Sequence, residues 1–169
     1  MLMNEYRLIW EALDGRSGHA VGRLLLARLY REETGENCPE IRTAAGGKPY
    51  FADAPLYFSI SHTKKHAFCV LSPRPVGVDA EETDRSINLK LAAKILSEVE
   101  FARFQASADP RSALLKLWVL KEAAAKLTGE GLRGYPNHTD FSPDDPRVQE
   151  IGSCYVAILE EEKRNAHAV

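Results

Sequence analysis

One stretch, Trp118-Val119-Leu120-Lys121-Glu122-Ala123-Ala124-Ala125-Lys126, restricts the fold more than any other. Asp109-Pro110 offers an N-cap and a proline at the first helical position, and Gly129 offers a stop, so the stretch is predicted to sit in one long helix. That helix is apolar nearly all round and must be covered on most sides, yet it carries a glutamate between two lysines. Buried charge is costly unless paired or bound to a metal, which gives these three groups a common task. At about 100° per residue, Trp118, Glu122 and Lys126 drift only about 40° at each four-residue step and share one stripe, with Lys121 roughly 100° round from Glu122. Two readings fit: a surface Glu–Lys pair at i, i+4, worth about 0.2–0.5 kcal/mol, or one wall of a site. A second acidic stretch upstream, Gly77-Val78-Asp79-Ala80-Glu81, favours the site.

With 169 residues, 44% of them hydrophobic, the chain can build one well-cored domain or two small halves sharing an interface. A net charge of −2 argues against a strongly basic surface, so nucleic acid is not an expected partner. Cys38, Cys69 and Cys154 are odd in number, far apart and free of any CxxC pair, which fits a reducing compartment and argues against disulfides or a thiolate zinc site. No apolar run reaches 18 residues and Met1 to Trp10 lacks a basic start before an apolar stretch. A cytoplasmic chain without a membrane span is expected.

In chain order, Tyr6 to Trp10 reads as a short strand. Val21, Leu24, Leu25 and Leu29 recur at helical spacing from Gly18 to Glu33, and Gly35 is a fitting stop. Asn37 to Ala54 reads as irregular around Ala45-Gly46-Gly47-Lys48-Pro49. Three runs then suggest an antiparallel meander: alternating Leu56 to Ser61, the apolar run Ala67 to Leu71, and alternating Val76 to Glu81. A polar connector from Glu82 to Asn88 precedes a helix from about Leu89 to Leu96. Ser97-Glu98-Val99-Glu100 has capping-box form and opens a further helix to about Ser107. After the long helix, Gly131, Gly134, Pro136, Pro143 and Pro146 mark an irregular segment. Cys154 to Leu159 reads as a last strand, and the charged tail from Glu160 is expected to fray.

In the third run, period two puts Asp79 and Glu81 on one face, about 7 Å apart along the chain. Gly77 shares that face and leaves space beside it, while Val76, Val78 and Ala80 turn to the core. The acids are either the solvated side of an edge strand or oxygen ligands for a hard ion, Mg²⁺ before Zn²⁺. His62 and His66 lie four apart but in a turn with two lysines rather than a helix, so they are not read as a zinc pair.

Gly77-Val78-Asp79-Ala80-Glu81 followed by Trp118-Val119-Leu120-Lys121-Glu122-Ala123-Ala124-Ala125-Lys126 resembles the paired signatures of the 4′-phosphopantetheinyl transferase superfamily, G-[VI]-D-x-E and W-x-x-K-E-x-x-x-K. Phe58-Ser59-Ile60-Ser61-His62 is similar to the family's F-x-x-S-H segment and Gly47-Lys48-Pro49 to its G-K-P turn. The order and spacing are closest to the larger, pseudo-dimeric, surfactin-synthetase-activating type. The resemblance implies an α+β fold of two similar halves, roughly 1–75 and 76–169 of one domain, each an antiparallel sheet packed with a long helix, here with shortened ends.

It also implies a transferase that moves 4′-phosphopantetheine from coenzyme A to a serine of an apo acyl or peptidyl carrier protein, releasing adenosine 3′,5′-bisphosphate. On that pattern Asp79, Glu81 and Glu122 would ligate Mg²⁺, while Lys126 would stabilise the departing phosphate with Lys121 as a second cation. Lys48, Ser61 and His62 would bind the 3′-phosphate and adenine end, and Trp118 would form a wall of the site. Glu122 is the usual candidate base, although an ordinary glutamate pKa near 4.3, lowered further by a metal, makes water an alternative proton relay. The family's cationic contacts from the N-terminal half have no motif match here, with Arg16, Arg23 and Arg42 as candidates. A monomer is expected, and a non-catalytic relative that binds coenzyme A or carrier proteins is the competing reading.

Overall fold

The computed structural model describes residues 5–130 and 139–162. Strand β1, Arg7–Ala12, leads to helix α1, Gly18–Thr34, whose first turn is capped by the Ser17 hydroxyl and whose end is Gly35 in the left-handed region at φ 76°. The segment predicted to be irregular contains a small hairpin of β2, Ile41–Thr43, and β3, Pro49–Phe51. Three residues per strand are too few for an alternating pattern to register. Next come β4, Tyr57–His62, β5, His66–Ser72, and β6, Val76–Glu82.

The predicted meander is only half present. β4 and β5 pair antiparallel and β1 joins the other side of β5, but β6 leaves for a second sheet of order β6-β8-β7. Strand β7, Val148–Ile151, was not foreseen, and β8 runs Cys154–Glu160. The reason lies in β5. Its Ala67, Cys69 and Leu71 pack towards α1 on Leu25, Leu26 and Leu29, while Phe68 and Val70 meet Val76, Val78 and Val156 of the other sheet. A strand apolar on both faces is therefore the inner layer of a sheet-on-sheet contact.

In the second half, a 3-10 turn at Leu89–Leu91 and the one-turn α2, Ala92–Ile95, stand where a single helix was predicted. Helix α3, Glu98–Gln105, starts at a complete Ser97–Glu100 capping box, and α4, Pro110–Thr128, is capped by Asp109 and ended by Gly129 at φ 76°. Leu117, Leu120 and Ala124 of α4 pack with Tyr155, Ala157 and Leu159 of β8. The layers are thus helix, sheet, sheet, helix, an α+β fold with one long helix on each antiparallel sheet. Gly131 to Pro136 and the tail after Glu162 lie outside the described residues. Among the described residues no helix is long and apolar enough to cross a membrane, and all three cysteines are free thiols.

The sheets also meet edge to edge. β4 and β6 are each the end strand of their sheet. Ser59 accepts from the Val78 amide at 3.0 Å and Ser61 from the Ala80 amide at 3.2 Å, so side-chain hydroxyls satisfy backbone donors that no strand pairs.

Candidate active site

The site is built where α4 crosses β6. The space expected beside Gly77 is filled by the helix backbone: an added Cβ would collide with the Ala123 carbonyl and the Leu127 amide. That close approach is what brings Glu122 and Lys126 to the acidic strand. Lys126 donates to Asp79 Oδ1 at 2.8 Å, and Ser61 donates to the same oxygen at 3.1 Å, in a spot where Asp79 is only 7% exposed. Glu81 is paired with Arg85 and receives the Trp118 indole N–H.

Glu122 completes the group electrostatically. Burial first, then the negative charge of Asp79 and of Glu81, push its carboxyl above the usual range, with Lys126 and Arg85 opposing. Glu81 is also raised, by burial first and by Asp79, against Arg85, Trp118 and Lys126. Glu81 and Glu122, both pushed up beside the Asp79 carboxylate, make with it an all-oxygen donor set from a strand and a helix, of the kind a hard divalent ion neutralises. In this structure Lys126 and Arg85 supply the counter-charge, and the three acids are not among the donors gathered within 4.8 Å of one another.

Lys121 is placed elsewhere. Its ammonium, 6% exposed, donates to Glu100 Oε2 at 2.9 Å, and the fully buried Glu100 also accepts from the Phe141 amide at 3.1 Å. The pairing with Glu100 sets Lys121 in the α3–α4 contact, whereas Lys126 is the lysine bonded to Asp79. Helical periodicity supplies the angle of Lys121 but not the acid that meets it.

Two cavities flank the carboxylates. One of about 280 Å³ is lined by Lys48, Pro49, Phe58, Ser59, Ile60, Glu122 and Lys126. The other, about 730 Å³, is lined by His62, Lys64, Lys65, Glu81, Arg85 and neighbours. Glu122 borders one and Glu81 the other.

Residues 75–167, which hold both acidic signatures, match the family described as the 4′-phosphopantetheinyl transferase superfamily. The chain belongs to this superfamily. Similar curated members are the 4′-phosphopantetheinyl transferase gsp of Aneurinibacillus migulanus, 35% identical over 51% of this chain and 36% of that one; the 4′-phosphopantetheinyl transferase AcpT of Salmonella typhimurium, 33% identical over 72% and 65%; and the holo-[acyl-carrier-protein] synthase of Cronobacter sakazakii, 33% identical over 54% and 75%. The match spans about a third to a half of the length of the larger transferases.

The residues that the superfamily pattern assigns to the coenzyme end are not gathered at one place. Lys48 borders the smaller cavity, and its ammonium, made easier to deprotonate by burial, donates to the Leu127 carbonyl at 2.6 Å in the last turn of α4. His62 is exposed on the larger cavity, its ring against Gly18 at the start of α1. Ser61 is 5% exposed and engaged with Asp79 and the Ala80 amide, so its hydroxyl organises the acid rather than facing either cavity. Arg16 is held by Glu11 and Arg42 by Glu40, and neither they nor Arg23 line these cavities.

Arg85 was not singled out from sequence, since an arginine in a polar connector carries no periodic signal. Glu82 was also passed over as connector, yet it is 6% exposed and accepts from Thr63, Ser153 and His66.

Proposed function

We propose that this chain transfers 4′-phosphopantetheine from coenzyme A to a serine hydroxyl of an apo acyl or peptidyl carrier protein, with release of adenosine 3′,5′-bisphosphate. The observation that supports it most is the convergence of Asp79, Glu81, Glu122 and Lys126 from β6 and α4, within a span matching the transferase superfamily. In the reaction the serine oxygen bonds to the phosphorus that carries the pantetheine arm. The bond from that phosphorus to the bridging oxygen breaks, and the serine proton leaves to a base.

Asp79, Glu81 and Glu122 would hold Mg²⁺, which when bound neutralises the diphosphate charge and orients it. Lys126 is the half-exposed cation next to the acids, placed to pair with the phosphate that departs, and Arg85 is a second cation on the Glu81 side. Glu122 borders the apolar-walled cavity, and because the ion would lower its proton affinity, it would take the serine proton weakly or leave it to water. Ser61 and Trp118 fix Asp79 and Glu81 by hydrogen bonds, so the acids are pre-positioned. Lys48 and the Lys64, Lys65 and His62 cluster put positive and protonatable groups on the two cavities that would receive the polyanionic nucleotide.

The test mixes the protein with coenzyme A, Mg²⁺ and a panel of apo carrier domains and reads intact mass. Gain of one phosphopantetheinyl group on at least one carrier, with matching bisphosphate release, is expected. Tight coenzyme A binding without transfer to any carrier would favour the binding-only reading instead.

A further inference from the structure

We propose that His66, Glu82 and Cys154 form a second metal site, for a borderline-soft divalent ion of the zinc class. The three come from the ends of three strands. Glu82 and Cys154 are directly opposed in the β6–β8 register, and His66 opens β5 in the other sheet. His66 Nδ1 lies 2.9 Å from Glu82 Oε1 and 3.6 Å from Cys154 Sγ, and the three ligand atoms all lie within 4.8 Å of one another. A tetrahedral ion with nitrogen and oxygen at about 2.1 Å and sulfur at about 2.3 Å sets its ligand atoms roughly 3.3–3.6 Å apart, so the 3.6 Å His66–Cys154 spacing already fits and the 2.9 Å His66–Glu82 hydrogen bond would open by about half an ångström on loading.

The surroundings fit such a site. Thr63 and Ser153 donate to the two Glu82 oxygens at 2.5 and 2.6 Å, an outer shell that orients the carboxylate. The Trp10 ring stands edge-on to His66 with centroids 5.5 Å apart and shields it. Thr63 and Glu82 line the larger cavity, so the carboxylate edge of the cluster borders solvent-accessible space. Adjacent strand residues point to opposite faces, so Glu82 serves this site while Glu81 faces the other carboxylates. One thiolate, one imidazole and one carboxylate select zinc over magnesium. Loading would displace the Cys154 thiol proton, so one proton would be released for each ion bound. The proposal does not depend on the transferase reading.

The full chain, stripped with chelator, is titrated with Zn²⁺ by calorimetry and with Co²⁺ by absorption. One equivalent of Zn²⁺ is expected, not displaced by excess Mg²⁺, together with a thiolate-to-cobalt charge-transfer band. Cys154→Ser and His66→Asn should each weaken Zn²⁺ at least tenfold while retaining the native circular dichroism, and Glu122→Gln should leave it within about twofold. Absence of the thiolate band in the unaltered protein, which needs no variant to fold, would overturn the proposal by making the cluster a hydrogen-bond network only. So would binding that survives Cys154→Ser and disappears in Glu122→Gln.

Discussion

Glu122 carries opposed demands: its neighbours Asp79 and Glu81 resist its ionisation while Lys126 favours it. Glu122→Gln removes a donor from the acidic group and also relieves like-charge repulsion. The expected result is a fall in carrier modification of about 10²–10⁴-fold by mass spectrometry, with coenzyme A binding still detectable and no loss in melting temperature. A matched drop in folding would show the carboxylate to be structural. Gly77 makes a different demand, because the α4 backbone occupies the place of a side chain. Gly77→Ala is expected to cost about 2 kcal/mol or more in urea unfolding, since backbone cannot move aside as a side-chain tip can. Spacing made legible that Asp79 and Glu81 share one strand face and Glu122 and Lys126 one helical stripe; that the two meet was implied only by the resemblance. The partners of Ser61 and Lys121, Asp79 and Glu100, were not legible because they lie 18 and 21 residues away and no periodicity reaches that far.

At the scale of elements, Glu100 joins three pieces that sequence treats separately. It closes the capping box of α3, takes the Lys121 ammonium of α4 and accepts the Phe141 amide. Glu100→Ala leaves a buried lysine without that acid, for which about 3–5 kcal/mol of destabilisation is expected in chemical denaturation, whereas a surface Glu such as Glu98 should change stability by under about 0.5 kcal/mol. The capping box was legible from its local S-x-x-E form; its second and third duties were not. The cap at Asp109 and the stops at Gly35 and Gly129 were legible for the same reason, being local backbone chemistry. β2, β3 and β7 were missed because strands of three or four residues carry almost no pattern.

For the whole molecule, the partition of strands into two sheets could not be read from their order, because β5 and β6 are separated by a link short enough for a hairpin and yet do not pair. The Glu82 cluster helps hold that arrangement, linking Thr63 and His66 of the first half to Ser153 and Cys154 of the second. Burial alone would raise the Glu82 carboxyl, but hydrogen bonds from Ser153, Thr63, His66 and Cys154 prevail and bring it from 4.5 down to about 2. A depressed acid stabilises the fold above its unfolded pKa and loses that contribution as pH falls through the window from 4.5 to about 2. With chelator present, Glu82→Gln should therefore lower unfolding free energy at pH 7, by an amount on the order of 3 kcal/mol at most, and converge with the unaltered protein near pH 2.

The serine hydroxyls between β4 and β6 have one more effect. A bare strand flank invites a neighbouring polypeptide to dock along it and propagate into fibrils. Here Ser59 and Ser61 occupy the Val78 and Ala80 amides without extending a ladder, so this seam offers no template for strand recruitment from another molecule.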